Sequence, residues 1–131
     1  MAKTLLQKLG YAPGRAARVL GTPDELAPLL ADLRLADPPD WLLGFCPTAA
    51  AVAAVAEPLL AAYRRGGHLW LAYPKRSGRL ASDLSRDHGW APLVSAGLLP
   101  VTQVALDADW SALRWRHRDE IQTLTRRFET R

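Results

Sequence analysis

The chain has 131 residues, 49% of them hydrophobic and 23% charged, which suits one packed core and excludes disorder along its whole length. The formal net charge of +4 rests on 14 Arg and 3 Lys amid heavy Ala, Leu, Gly and Pro usage. That is the profile of a coding bias, so nucleic acid is not the expected partner. One cysteine, Cys46, excludes an internal disulfide, and neither a secretory h-region nor a bilayer-length apolar run is present. A soluble cytoplasmic protein with no membrane partner is expected.

Lys3 to Leu9 reads as a short amphipathic helix with Leu5, Leu6 and Leu9 on one face and Gly10 as its stop. Tyr11-Ala12-Pro13-Gly14 is a turn, and Arg15 to Leu20 is the first strand. Gly21-Thr22-Pro23-Asp24-Glu25 signals a helix start. Thr22 suits the cap, Pro23 the first helical position, and the two acids the positive end of the helix dipole. That helix should run to about Leu33. Asp37-Pro38-Pro39-Asp40 is a firm breaker.

Trp41 to Cys46 is a second strand without polar alternation, as expected when both of its faces are covered. Pro47-Thr48 should cap a long helix through Arg65, with a kink predicted near Pro58. Gly66-Gly67 ends it, and His68 to Tyr73 is the third strand. Pro74 to Ser82 is a polar loop. A helix follows between Asp83 and Ala96, and Gly89 and Pro92 push its true start toward Trp90. Val101 to Leu106 and Ser111 to His117 are two more strands, and the four residues between them are hairpin length, so this pair is antiparallel. Asp119 to about Phe128 is a C-terminal helix, with Ile121, Leu124 and Phe128 at helical spacing.

Alternating strands and helices imply a parallel sheet with right-handed crossovers. The expected fold is a single α/β domain over residues 1–131. It is a small three-layer Rossmann-like sheet, mostly parallel, with a C-terminal antiparallel hairpin.

Two motifs carry a family resemblance. One is the glycine pair before Leu69-Trp70-Leu71-Ala72-Tyr73-Pro74-Lys75, followed by Ser82-Asp83-Leu84 and Arg86-Asp87. The other runs from Pro100-Val101-Thr102-Gln103 to Asp107, continuing through Trp110-Ser111-Ala112-Leu113-Arg114. With Leu9-Gly10 and Pro13-Gly14, they resemble the bacterial family known as domain of unknown function 3052, over roughly residues 5 to 118. That resemblance implies no activity. The element order also resembles a Rossmann-like methyltransferase core lacking its second and third strands. On that resemblance the last strand inserts beside the third, giving sheet order 1-2-3-5-4.

A nucleotide-type cofactor calls for a glycine-rich turn after the first strand and an acid after the next. Here the turn holds one glycine, a proline and two acids, and Asp37 sits in a Pro-Pro loop. No cofactor is therefore expected, and a divergent S-adenosylmethionine-dependent methyltransferase is the minor alternative. The candidate site joins Gly21, Thr22, Thr48, Lys75 and Arg76 at the carboxyl ends of strands one to three. There, cations and loop amides suit a small anionic ligand. The plainer reading of the loop is a solvated surface in which Lys75 pairs with Asp83 or Asp87.

Trp41, Trp70 and Trp115 should be core. Trp110 and Trp90 suit packing as well as a ligand edge. His68, His88 and His117 share no metal-ligand spacing with one another or with Cys46. Asp107 and Asp109 read as turn residues. No catalytic or metal residue is assigned, and the functional expectation is a non-catalytic binding module. The competing reading is a protein-interaction domain, with a second copy of the chain as the partner through a sheet edge or a terminal helix.

Overall fold

The computed structural model describes residues 4–121. The expected C-terminal helix lies outside the described residues from Gln122 onward, and Arg118–Glu120 form a 3-10 turn. No helix among the described residues is long and apolar enough to cross a membrane.

Helix α1 (Leu5–Lys8) is held by a reciprocal cap. Thr4 Oγ1 accepts from the Gln7 N–H at 3.2 Å, while Gln7 Oε1 accepts from the Thr4 N–H at 2.8 Å. Strand β1 (Ala16–Leu20) follows. The next helix departs from expectation. It is a 3-10 helix over Asp24–Leu30, with Pro23 rather than Thr22 at its cap position and no side-chain cap bond. Pro28 lies inside it and has no N–H to offer, which denies the segment a regular α-helical ladder.

The sheet has six strands in the order β2-β1-β3-β4-β6-β5. The relative order of the five expected strands is retained, with an additional strand, β2 (Arg34–Leu35), outside β1. Two residues are too short for any periodicity to register. Local geometry holds them instead: Ala16 and Ala17 pair with Arg34 and Leu35, and the Tyr11 hydroxyl accepts from the Arg34 N–H at 2.9 Å. Strands β1, β2, β3 (Trp41–Phe45) and β4 (His68–Pro74) are parallel. Strand β6 (Trp110–His117) enters antiparallel to both β4 and β5 (Leu98–Ala105).

Strand β3 is buried along its whole length, and β4 is buried except at His68. One sheet face sets Leu42, Leu71, Tyr73 and Trp115 against α2 (Val52–Ala62) and α3 (Ala91–Ser95). The other sets Trp41, Phe45, Trp70 and Trp110 against Leu9 and Leu26. Gly44 permits the approach of α2, since a Cβ there would stand 2.5 Å from Val55 Cγ1.

The tryptophans are core. The Trp41 and Trp70 indoles both donate to the Leu9 carbonyl, at 2.8 and 2.7 Å. Trp110 packs edge-on against Phe45, and Trp90 lies 5.4 Å from Trp115. Helix α2 is shorter than expected at both ends. A 3-10 turn over Ala49–Ala51 precedes it, and Thr48 makes no side-chain cap bond. The Ala49 N–H donates instead to Asp83 Oδ1 at 2.8 Å, so a distant loop supplies the cap.

Candidate anion site at the carboxyl end of the sheet

The chain leaves β1 toward β2 and returns on its other side as β3, so the ends of β1 and β3 flank the switch point where open α/β sheets usually bind ligands. Gly21 sits there with φ +76°, packed so closely on β3 that a Cβ would stand 3.3 Å from the Phe45 carbonyl oxygen. The loop after β4 crosses this end of the sheet as a strap. Arg79 Nη2 reaches Glu25 at 3.4 Å, and Leu80 packs among apolar residues of the second face. The Ser82 hydroxyl donates to the Pro47 carbonyl at 2.7 Å, and Asp83 holds the Ala49 N–H. The strap is thereby tied to the segments that follow both β1 and β3.

A cleft of about 660 Å³ opens beside β4. Its strand residues are Tyr73, Gln103, Ala105 and Ser111. The sheet register brings them together, because Ser111 stands opposite both Tyr73 and Ala105. Gln103 Nε2 donates to the Tyr73 hydroxyl at 2.8 Å. Burial raises the Tyr73 pKa, so the phenol stays neutral.

Two loops complete the cleft. One brings Lys75, Arg76 and Ser77, and the other brings Ser85, Arg86 and Asp87. The second is a tight turn closed by paired backbone bonds between Ser85 and His88, and the Trp90 indole pins it by donating to the Ser85 carbonyl at 2.7 Å. Of the residues proposed from sequence, Lys75 and Arg76 line this cleft, whereas Gly21, Thr22 and Thr48 do not.

The charges are unevenly matched. Arg79 is taken up by Asp109 at 2.8 Å as well as by Glu25. Lys75 and Arg76 have no carboxylate within 4.0 Å among the described residues. The expected pairing of Lys75 with Asp83 or Asp87 is not formed. Asp83 is held by Ala49, and Asp87 lies 3.4 Å from its chain neighbour Arg86. Three cations therefore face one exposed carboxylate.

Other chemistry is weaker. Cys46 is fully buried, and burial pushes its thiol up to about 12, which removes it as a nucleophile. His68 lies at the opposite end of the sheet, 3.0 Å from Arg15. No group of three metal-ligating residues occurs among the described residues. Asp109 is a turn residue, its N–H bonded to Asp107 Oδ1 at 2.8 Å. Sequence reading missed Arg86, Gln103 and Ser111. The hairpin register was the available signal, since pairing β6 beside β4 puts Ser111 and its β5 neighbours next to Tyr73.

No protein-family model matches the chain, and no curated protein matches it. Among solved structures it is similar to the tRNA methyltransferase TrmK of B. subtilis, with TM-score 0.50 and 11% identity over 92% of this chain and 68% of that one. It also resembles a protein of the NADB-Rossmann superfamily from Streptococcus agalactiae, with TM-score 0.49 and 16% identity over 89% and 68% of the two chains. At 11% identity the first likeness is one of fold alone.

Proposed function

We propose that the chain is a Rossmann-like module that binds a small anionic ligand in the cleft beside Lys75 and catalyses no reaction there. One observation carries this reading: Lys75 and Arg76 line a cleft whose single carboxylate is Asp87, and neither cation has a carboxylate within 4.0 Å among the described residues. Charge-assisted bonds from such cations are about twice as strong as neutral ones. The cleft offers hydroxyls, an amide and cations, and pairs no nucleophile with a base. The direct test is thermal unfolding with inorganic phosphate. Phosphate at 100 times its dissociation constant should stabilise the protein by about 2.7 kcal/mol. The effect should vanish in the Lys75→Ala/Arg76→Ala variant. An equal shift in wild type and variant would sink the proposal.

A second reading, methyl transfer from S-adenosylmethionine, draws on the fold shared with the tRNA methyltransferase. It requires the Arg79–Asp83 strap to lift from the switch point. Calorimetry with S-adenosylmethionine decides it: no heat of binding in wild type or in Asp83→Ala removes it. Self-association through the β5 edge of the sheet is disfavoured by that edge itself. Strand β5 carries Pro100 and a register shift between Pro100 and Thr102, and both features work against strand addition.

A further inference from the structure

We infer that the cleft takes the phosphate ester of a small sugar or polyol and gains nothing from a nucleobase; this rests on the anion-binding reading above. Three features of the cleft point the same way. The first is charge. Lys75, Arg76 and Arg86 converge against the single carboxylate of Asp87, which itself stands beside Arg86. A dianionic phosphate ester matches that surplus, whereas a lone carboxylate leaves a cation unmatched.

The second feature is the hydrogen-bonding character of the strand residues. Gln103 uses one N–H on the Tyr73 hydroxyl. Its Oε1 makes no bond among the described residues, so the amide presents an acceptor and a second donor to the cleft. Ser111 is 3% exposed and adds a hydroxyl beside Tyr73. An amide next to hydroxyls is suited to ligand hydroxyl groups, which both donate and accept. The volume, about 660 Å³, lies within the range of small-molecule sites.

The third is the missing aromatic face. Tyr73 is the one aromatic residue in the lining; it is 3% exposed, and its ring packs edge-on against Trp90 at 5.7 Å. Nucleobases are held largely by stacking on exposed aromatic or guanidinium planes. The strand residues offer no such plane, and the guanidinium groups lie among the charges that take the phosphate.

The test is calorimetric titration of the full chain with inorganic phosphate, ribose 5-phosphate and adenosine monophosphate. Ribose 5-phosphate should bind about tenfold tighter than phosphate, the worth of one or two hydrogen bonds. Adenosine monophosphate should bind no tighter than ribose 5-phosphate. Gln103→Ala should erase the advantage of the sugar, so that ribose 5-phosphate and inorganic phosphate bind the variant with equal affinity. Lys75→Ala should weaken all three ligands in parallel. If phosphate binds but the sugar adds nothing, or if the base adds tenfold or more, the ligand class is overturned and the anion site stands. If none of the three binds, the anion reading fails with it.

Discussion

Both ends of the sheet gather cationic side chains, but the amino end commits more of them to the fold. At the amino end, Arg15 donates to the Gly10 carbonyl at 2.6 Å and to Asp40 at its carbonyl and carboxylate, and it touches His68 Nδ1. Arg114 donates to the Gly67 carbonyl at 3.1 Å. Glu120 accepts from the Tyr63 hydroxyl and from the Gly66 and His117 N–H groups, and it lies 3.8 Å from Arg116. The bonds from Arg15 to Asp40, from Arg114 to Gly67, and from Tyr63 and Gly66 to Glu120 join segments far apart in sequence. At the carboxyl end only Arg79 is used this way; Lys75 and Arg76 face a cleft without a carboxylate within 4.0 Å among the described residues, and Arg86 pairs only with its chain neighbour Asp87. The contrast teaches that a site is marked by charge the fold leaves unmatched, not by charge density.

The sharpest way to break this contrast is Arg15→Ala. It strips acceptors at Gly10 and Asp40 of their charged donor, and it should cost about 2–3 kcal/mol by the usual worth of hydrogen bonds to charged groups. Urea unfolding measures it. A loss under about 0.5 kcal/mol, the size of an ordinary surface substitution, would place the two ends of the sheet in the same class.

Elements fixed by local pattern are legible in the sequence, and those fixed by distant contacts are not. Strands β3 and β4 were legible because continuous apolar runs such as Leu69-Trp70-Leu71 admit few alternatives at that length. The helix after β1 was misjudged because Thr22, Pro23 and the two acids are genuine start signals, and the later Pro28 outweighs them. Thr48 carries the sequence signature of a cap, yet the cap comes from Asp83, a residue that only the folded strap brings near. The candidate site divided in the same way. Lys75 and Arg76 were visible as cations at a strand end. Arg86, Gln103 and Ser111 were not, because they join the cleft through the insertion of β6 beside β4 and a turn pinned by Trp90.

Three smaller effects sharpen the comparison. His68 is half-buried and faces Arg15, Arg114 and Arg116, with Asp40 as the opposing charge. Burial first, and then those guanidinium groups, lower its pKa from 6.5 to about 4. The unfolded chain therefore takes up this proton first as pH falls. The stability that depends on neutral His68 is complete above about 6.5 and is lost progressively toward about 4. Solvent screening at a half-buried site leaves about 1 kcal/mol. His68→Gln should flatten that slope in urea midpoints measured from pH 7 to 4. Burial opposes ionisation of Glu120, but bonds from Gly66, Tyr63 and His117 outweigh it and lower its pKa. Its contribution is present above the ordinary carboxylate range and lost as pH falls through the lowered value, so Glu120→Gln should alter only the acid limb. At the other end of the sheet, Asp83→Ala removes the cap on Ala49 and should cost about 1 kcal/mol. Faster amide exchange at Ala49 would show that the strap, not the helix alone, supplies that stability.

The smallest expected effect is the most diagnostic. Lys75 makes its structural contact through the backbone, donating from its N–H to the Asp109 carbonyl at 2.8 Å, and alanine keeps that bond. Its side chain has no carboxylate partner among the described residues and shares the cleft with Arg76 and Arg86. Lys75→Ala should therefore change stability by less than about 0.5 kcal/mol. The sign should be slightly favourable at low salt, where like charges repel most, and should fade near 0.15 M as the Debye length falls to about 8 Å. Urea midpoints of wild type and variant at two salt concentrations measure it. A loss of stability like that of Arg15→Ala would mean that Lys75 belongs to the folding network after all, and a residue committed to the fold is not held in reserve for a ligand.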